Sequence, residues 1–173
     1  MESEARHVGP IAELLRDDHR RLDALLQQAV AAPGQIDRVA YAEFRAGLLR
    51  HIGMEEKILF PAAQQARGGE ALPVAAKLRL DHGALAALLV PSPTPQIVGA
   101  IRSILTTHNA LEEGAGGVYE VCETLAGDAV AELLTRLREA PAVRVHPHVD
   151  DARVMEATRR ALQRAGYAAV AQI

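Results

Sequence analysis

Residues 15–26 read LRDDHRRLDALL and residues 78–89 read LRLDHGALAALL. Aligned without a gap they agree at eight of twelve positions, and His19 and His82 fall at the same place in each. A leucine stands four residues before and three residues after each histidine, the spacing of one helix face. Each histidine therefore occupies a position where the period calls for an apolar residue. Two further histidines each have a glutamate four residues on, His51 with Glu55 and His108 with Glu112. Residues four apart share a helix face, so each pair can aim two ligands at one spot. The second elements match more loosely, HIGMEE from His51 against HNALEE from His108, and the offset between halves falls from 63 residues (19 to 82) to 57 (51 to 108). A two-helix unit used twice accounts for the pattern.

Composition narrows the classes. With 173 residues and 49% hydrophobic content the chain can bury a core, and Ala and Leu dominate while aromatics reach only 3%. That mixture suits close-packed helices better than a sheet sandwich. A formal net charge of -3 and the absence of a basic stretch interleaved with aromatics give no footprint for nucleic acid. The opening residues, MESEARHVGPIAELL, are acidic and carry no long apolar run, so they read neither as a signal peptide nor as a membrane span, and a cytoplasmic location follows. Cys122 is the single cysteine, which excludes an intrachain disulfide and a thiolate-rich metal site. A metal in this chain is held by nitrogen and oxygen.

The periodicity predicts a first helix from near Pro10 to about Ala31, and a second, capped by Asp37, carrying Tyr41, Phe44, Leu48, His51, Glu55, Ile58 and Leu59 on one face until Pro61 ends or kinks it. A third carries Val74, Leu78, His82, Leu85 and Leu89. The fourth runs through Ile97, Ile101, Ile104, His108, Glu112, Ala115 and Tyr119. Gly114, Gly116 and Gly117 loosen or break this fourth helix just past Glu112. Beyond Gly127 come a short helix from Asp128 to Glu139, a loop holding His146-Pro147-His148, and a basic amphipathic helix from Ala152 to about Arg164. The expected organisation is a bundle over residues 1–127 and a helical extension over 128–173, packed on the bundle or on a second copy.

Six ionisable residues in apolar phase on four helices need neutralisation, since a carboxylate in an apolar seam costs several kcal/mol unless paired or coordinated. His19, His51, Glu55, His82, His108 and Glu112 are the candidate ligands. Imidazole and carboxylate without thiolate suit iron, manganese, cobalt or zinc. Two metals sharing Glu55 and Glu112 as bridges would keep open coordination positions.

Over about residues 10 to 125 the chain resembles the hemerythrin-like family, the HHE cation-binding domains, whose pattern of His, His-x-x-x-Glu, His, His-x-x-x-Glu is met by these six residues. HIGMEEKILFP also resembles the family's second helix. The resemblance implies an all-α, up-down antiparallel four-helix bundle, here with additional C-terminal helices, around a di-iron centre with an oxo or hydroxo bridge. Zinc, manganese, nickel or cobalt can substitute. Oxygen-carrying members have His-x-x-x-His on the third helix, whereas this chain has Leu78 four residues before His82. One metal is therefore short of a histidine, a position that Tyr119 or a neighbouring acid is a candidate to fill. Those members also place the last carboxylate five residues after its histidine, which would select Glu113, while helical phase selects Glu112.

Asp18 and Asp81, each just before a lone histidine, can orient a ligating imidazole on a neighbouring helix or be surface charges. Glu56 and Glu113 read as a solvated helix face. Three functions are consistent with this pattern. A metal protein responding to dioxygen, nitric oxide, peroxide or iron supply is preferred over oxygen storage. A di-iron enzyme, oxidase-like, peroxide-consuming or repairing iron centres, is the second. A structural bundle without functional metal is the third, and its stability would ignore chelators. A monomer or a homodimer is compatible with the surface pattern.

Overall fold

A computed structural model describes residues 8–173. The reading of the opening residues as neither signal peptide nor span lies, for positions 1–7, outside the described residues. The regular elements among the described residues are all helical, with no strand among them, and no helix among them is long and apolar enough to cross a membrane.

Helix α1 spans Pro10–Ala29 and opens with a proline at its first position, where the missing N–H costs nothing. Glu123 caps it from far along the chain, accepting from the backbone N–H of Ile11 at 2.9 Å and of Ala12 at 3.1 Å. Helix α2, Arg38–Met54, starts at Asp37, whose side chain accepts from Val39 N and Ala40 N as expected. It continues without interruption through a π-helical turn, Glu55–Leu59, into α3, Phe60–Ala66. Pro61 explains the wider turn. It has no N–H for the carbonyl four residues back, and the Phe60 N–H reaches five residues back to Glu55 instead. Of the two outcomes expected at Pro61, the helix is reshaped rather than ended.

Helix α4 is Ala75–Leu88, and α5 is Pro95–Glu113 with Thr94 capping Ile97 N. The fourth helix does not reach Tyr119. It stops at Gly114, and Tyr119 belongs to a separate helix α6, Val118–Ala126. The glycines enforce the break: Gly116 has φ 69°, and a Cβ on Gly117 would lie 2.6 Å from the Glu112 carbonyl oxygen. Helix α7, Val130–Arg138, follows a short 3-10 turn, and α8 is Ala152–Arg164.

The core comes in two apolar clusters. Leu22, Leu26, Phe44, Leu48, Leu85, Leu88, Ile101 and Ile104 belong to one; Ile11, Leu15, Met54, Leu59, Phe60, Leu78, Val118 and Leu137 belong to the other. Each candidate histidine lies in sequence at the boundary, His19 between Leu15 and Leu22, His51 between Leu48 and Met54, His82 between Leu78 and Leu85. A polar layer thus separates two apolar ones. Helix α1 packs on α2, α4 on α5, and α6 touches both α1 and α5.

The C-terminal elements pack within the same chain. Helix α7 lies against α1 and the π turn, and α8 lies on α4, burying Thr158, Ala161 and Leu162. Residues 140–151 between them form no regular element, so His146 and His148 lie in an extended strap. The strap is tied down by Arg45 donating to the His146 carbonyl at 2.6 Å and by the Val149 N–H donating to the Val90 carbonyl at 3.1 Å.

Candidate metal centre

All six sequence-derived candidates converge, and all are buried. They form two groups of four: His19, His51, Glu55 and Glu112, and Glu55, His82, His108 and Glu112, with the ligand atoms of each group within 4.8 Å of one another. Glu55 and Glu112, both 0% exposed, belong to both groups. Each carboxylate divides its oxygens. Glu55 Oε1 stands 3.4 Å from His51 Nε2 and Oε2 stands 3.0 Å from His82 Nε2. Glu112 Oε2 stands 3.5 Å from His19 Nε2 and Oε1 stands 3.0 Å from His108 Nε2. Glu112, not Glu113, is therefore the inward carboxylate, as helical phase indicated.

Around the centre lies a ring of acids on the opposite ring nitrogen of every histidine. Asp18 faces His51 Nδ1 at 2.9 Å, Asp81 faces His108 Nδ1 at 3.3 Å, and Glu56 faces His82 Nδ1 at 2.7 Å. Glu113 pairs with His19 Nδ1. The orienting role open to Asp18 and Asp81 is geometrically met. Glu56 and Glu113, read from sequence as a solvated helix face, are half-buried and flank the centre from outside, each on the outer ring nitrogen of a histidine. An imidazole that gives its Nδ1 proton to a carboxylate can offer its Nε2 lone pair to a cation, and all four Nε2 atoms are turned to the interior.

That leaves the centre rich in lone pairs. His82 Nε2 and His108 Nε2 face one another at 3.2 Å, and Glu55 Oε2 and Glu112 Oε1 make no hydrogen bond although both are buried. Buried acceptors facing acceptors require a cation, and in the metal-free chain only protons are to hand. The titration behaviour reflects this. Burial opposes charging His51, yet Glu55 and Asp18 outweigh it and push the imidazole up to about 10. Burial likewise opposes charging His108, which Asp81 and Glu112 raise to about 10. Burial would lift Glu55, but His51 and His82 hold it well below the usual carboxylate range, whereas burial and the Glu55 charge raise Glu112. Divalent cations fit where these protons sit, and the nitrogen and oxygen donor set is one that iron accepts.

Tyr119 is a member of the site that periodicity misplaced. Its Oη lies 2.7 Å from Glu55 Oε1, 3.1 Å from Glu112 Oε2, 3.1 Å from His19 Nε2 and 3.2 Å from His51 Nε2. It stands beside the His19 and His51 group, not beside His82, where the third-helix histidine is missing. There the Phe60 ring stacks on His82 with centroids 6.2 Å apart. Burial, then Glu55 and Glu112, push the Tyr119 hydroxyl well above its ordinary range. Cys122, one turn further along α6, is buried and raised to about 12 by burial and the same two carboxylates. The neighbouring Gly114–Gly117 run was the available signal, since a glycine break lets the chain fold α6 back over the centre.

A second relay leaves the site toward α8. The buried Asp81 that faces His108 also accepts from Lys77 Nζ at 2.5 Å, and Lys77 donates onward to the Ala165 carbonyl at 2.8 Å and lies 4.5 Å over the Tyr167 ring. His146 and His148 take no part in either ligand group.

No curated protein and no solved structure matches the chain. The family model of the hemerythrin HHE cation binding domain matches residues 11–90, from α1 through α4, a stretch holding His19, His51, Glu55 and His82, while His108 and Glu112 lie beyond it. Over those residues the chain is similar to the hemerythrin HHE cation binding domain.

Proposed function

We propose that this protein is a cytoplasmic hemerythrin-like metal protein. Its ligand-bearing helices form an antiparallel four-helix bundle around a di-iron centre held by His19, His51, Glu55, His82, His108 and Glu112. One observation carries the reading: two four-residue groups share both buried glutamates, each offering one oxygen to either side, which is what bridging carboxylates of a two-metal site must do. A pair of bound irons supplies exchange between iron(II) and iron(III) and open positions for a small ligand.

The chain's own residues do the rest. Asp18, Glu56, Asp81 and Glu113 fix the four imidazole tautomers and aim Nε2 inward. The two apolar clusters keep bulk water from both ends of the polar layer. His19 lines a surface depression of about 240 Å³, shared with Leu22, Leu48, Leu105 and Asn109. A centre buried this deeply admits small molecules, which favours dioxygen, nitric oxide or peroxide over an organic substrate. The role is accordingly sensing of such ligands or of redox state, or iron handling.

The test is elemental analysis of chain produced with iron and kept without oxygen, beside the His51→Ala, Glu55→Ala double variant. Close to two irons per chain, lost in the variant, supports the reading. Negligible iron in both overturns it and leaves a structural bundle.

A further inference from the structure

We infer that Tyr119 is itself a metal ligand, binding through Oη to the ion held by His19, His51, Glu55 and Glu112, so that the two metal positions are chemically unequal. This rests on the metal-binding reading above and extends it to a residue outside the six-residue pattern.

The geometry is selective. Oη lies 2.7 to 3.2 Å from one chosen atom of each of the four residues in the first group. Its glutamate contacts are Glu55 Oε1 and Glu112 Oε2, the two oxygens turned toward His51 and His19, not the pair turned toward His82 and His108. Donor atoms about 2.1 Å from one metal ion stand roughly 3 Å apart when adjacent. Oη therefore stands to all four as a fifth vertex stands to the other four of one coordination shell.

Hydrogen bonding alone does not satisfy this arrangement. A hydroxyl has one proton to give. Around Oη are two carboxylate oxygens and two Nε2 atoms whose imidazoles face Glu113 and Asp18 through Nδ1. The one hydroxyl proton can serve only one of these four neighbours inside a fully buried layer, whereas one cation among them, once the imidazoles have released any Nε2 proton, satisfies all four together with Oη. On binding, the Oη–metal bond replaces the Oη–H bond and the proton leaves to solvent; no electron changes hands.

The fold is built to bring the group there. Gly114 and Gly117 admit no Cβ without meeting the carbonyl oxygens of Ala110 and Glu112, each at 2.6 Å, and the resulting turn sends α6 back toward α1. Tyr119 is 0% exposed. The first position thus has two nitrogens and three oxygens from the chain, and the second has two nitrogens and two oxygens, so an exogenous small ligand meets the more open ion at His82 and His108.

The experiment loads the full chain anaerobically with two equivalents of iron(II) and oxidises each iron by one electron with ferricyanide. Visible absorption and resonance Raman are then recorded for wild type, Tyr119→Phe, and the Tyr41→Phe, Tyr167→Phe double variant. These are the chain's three tyrosines. Expected are a phenolate-to-iron(III) charge-transfer band with phenolate ring modes in wild type and in the double variant. Tyr119→Phe loses both signals while still holding close to two irons. His108→Ala, which touches only the other position, keeps the band with fewer irons. Two irons and no band in wild type overturn the inference and leave the metal reading standing, as does a band that persists in Tyr119→Phe. If Tyr119→Phe does not fold, a band lost from the double variant overturns the inference, and a retained one supports it. Absence of iron from wild type overturns both readings.

Discussion

Changing Glu112 and Glu113 to glutamine, one at a time, makes the same chemical edit at adjacent residues, and the structure assigns the two edits different consequences. Glu112 is 0% exposed and offers an oxygen to each ligand group. At an effective dielectric near 20, two unit charges 4 Å apart interact by about 4 kcal/mol. Glu112→Gln removes at least that for each divalent ion, on the order of a thousandfold in affinity at about 1.4 kcal/mol per tenfold. Glu113 touches no metal position and acts only through His19 Nδ1. Losing such an orienting carboxylate costs about 10- to 100-fold, or about 1.4 to 2.8 kcal/mol, and at one ion only. Competition against chelators of graded affinity, with metal counted per chain, separates the cases: Glu113→Gln keeps two ions with one weakened, and Glu112→Gln loses both at the same chelator strength. The metal-free melting temperature of Glu112→Gln is not lowered, because burial and the Glu55 charge already disfavour its carboxylate. Retention of both ions at wild-type affinity in Glu112→Gln, or loss of both in Glu113→Gln, refutes the division between bridge and orienting group.

The metal-free chain should lose stability with alkali. His51 and His108 are raised to about 10 in the fold, so their contribution is complete below about pH 6.5 and disappears as pH climbs through about 10. Calorimetry should show the metal-free melting temperature falling across that window and the metal-loaded one not following; a flat metal-free profile contradicts the charged-imidazole picture. Lys77→Met removes the cation that joins Asp81 to α8. It should weaken the ion at His82 and His108 by less than Asp81→Asn does, and equal affinity losses at both metal positions in a titration would show that the relay is not local. Glu123→Ala removes the distant cap of α1, which should cost about 1 kcal/mol and lower the melting temperature by about 2 to 4 °C. An unchanged transition would mean that water caps the helix equally well.

The six inward side chains were legible because each breaks an apolar period that its neighbours keep, and Leu15, Leu22, Leu78 and Leu85 around His19 and His82 made the break visible twice. The all-helical content followed from the same period. Glu56 and Glu113 were not legible, since consecutive residues on a regular helix diverge by about 100° and one glutamate of each pair should face away. Their partners are the outer ring nitrogens of His82 and His19 on neighbouring helices, and such cross-helix pairings are not contained in a periodic reading of one helix. Tyr119 kept the helical phase of His108 and Glu112 on paper. It arrives beside His19 and His51 instead because the helix breaks before it.

The π turn at Glu55–Leu59 also bears on how this chain can be engineered. A designer seeking a hardier scaffold would replace Pro61 and delete one residue from the wide turn, regaining regular α-helical geometry and its backbone bond. Such a straightened helix would rotate Glu56 away from His82 while leaving Glu55 in place. The product would melt higher and hold its second ion more loosely, so in this scaffold robustness and metal retention are set against each other at a single turn.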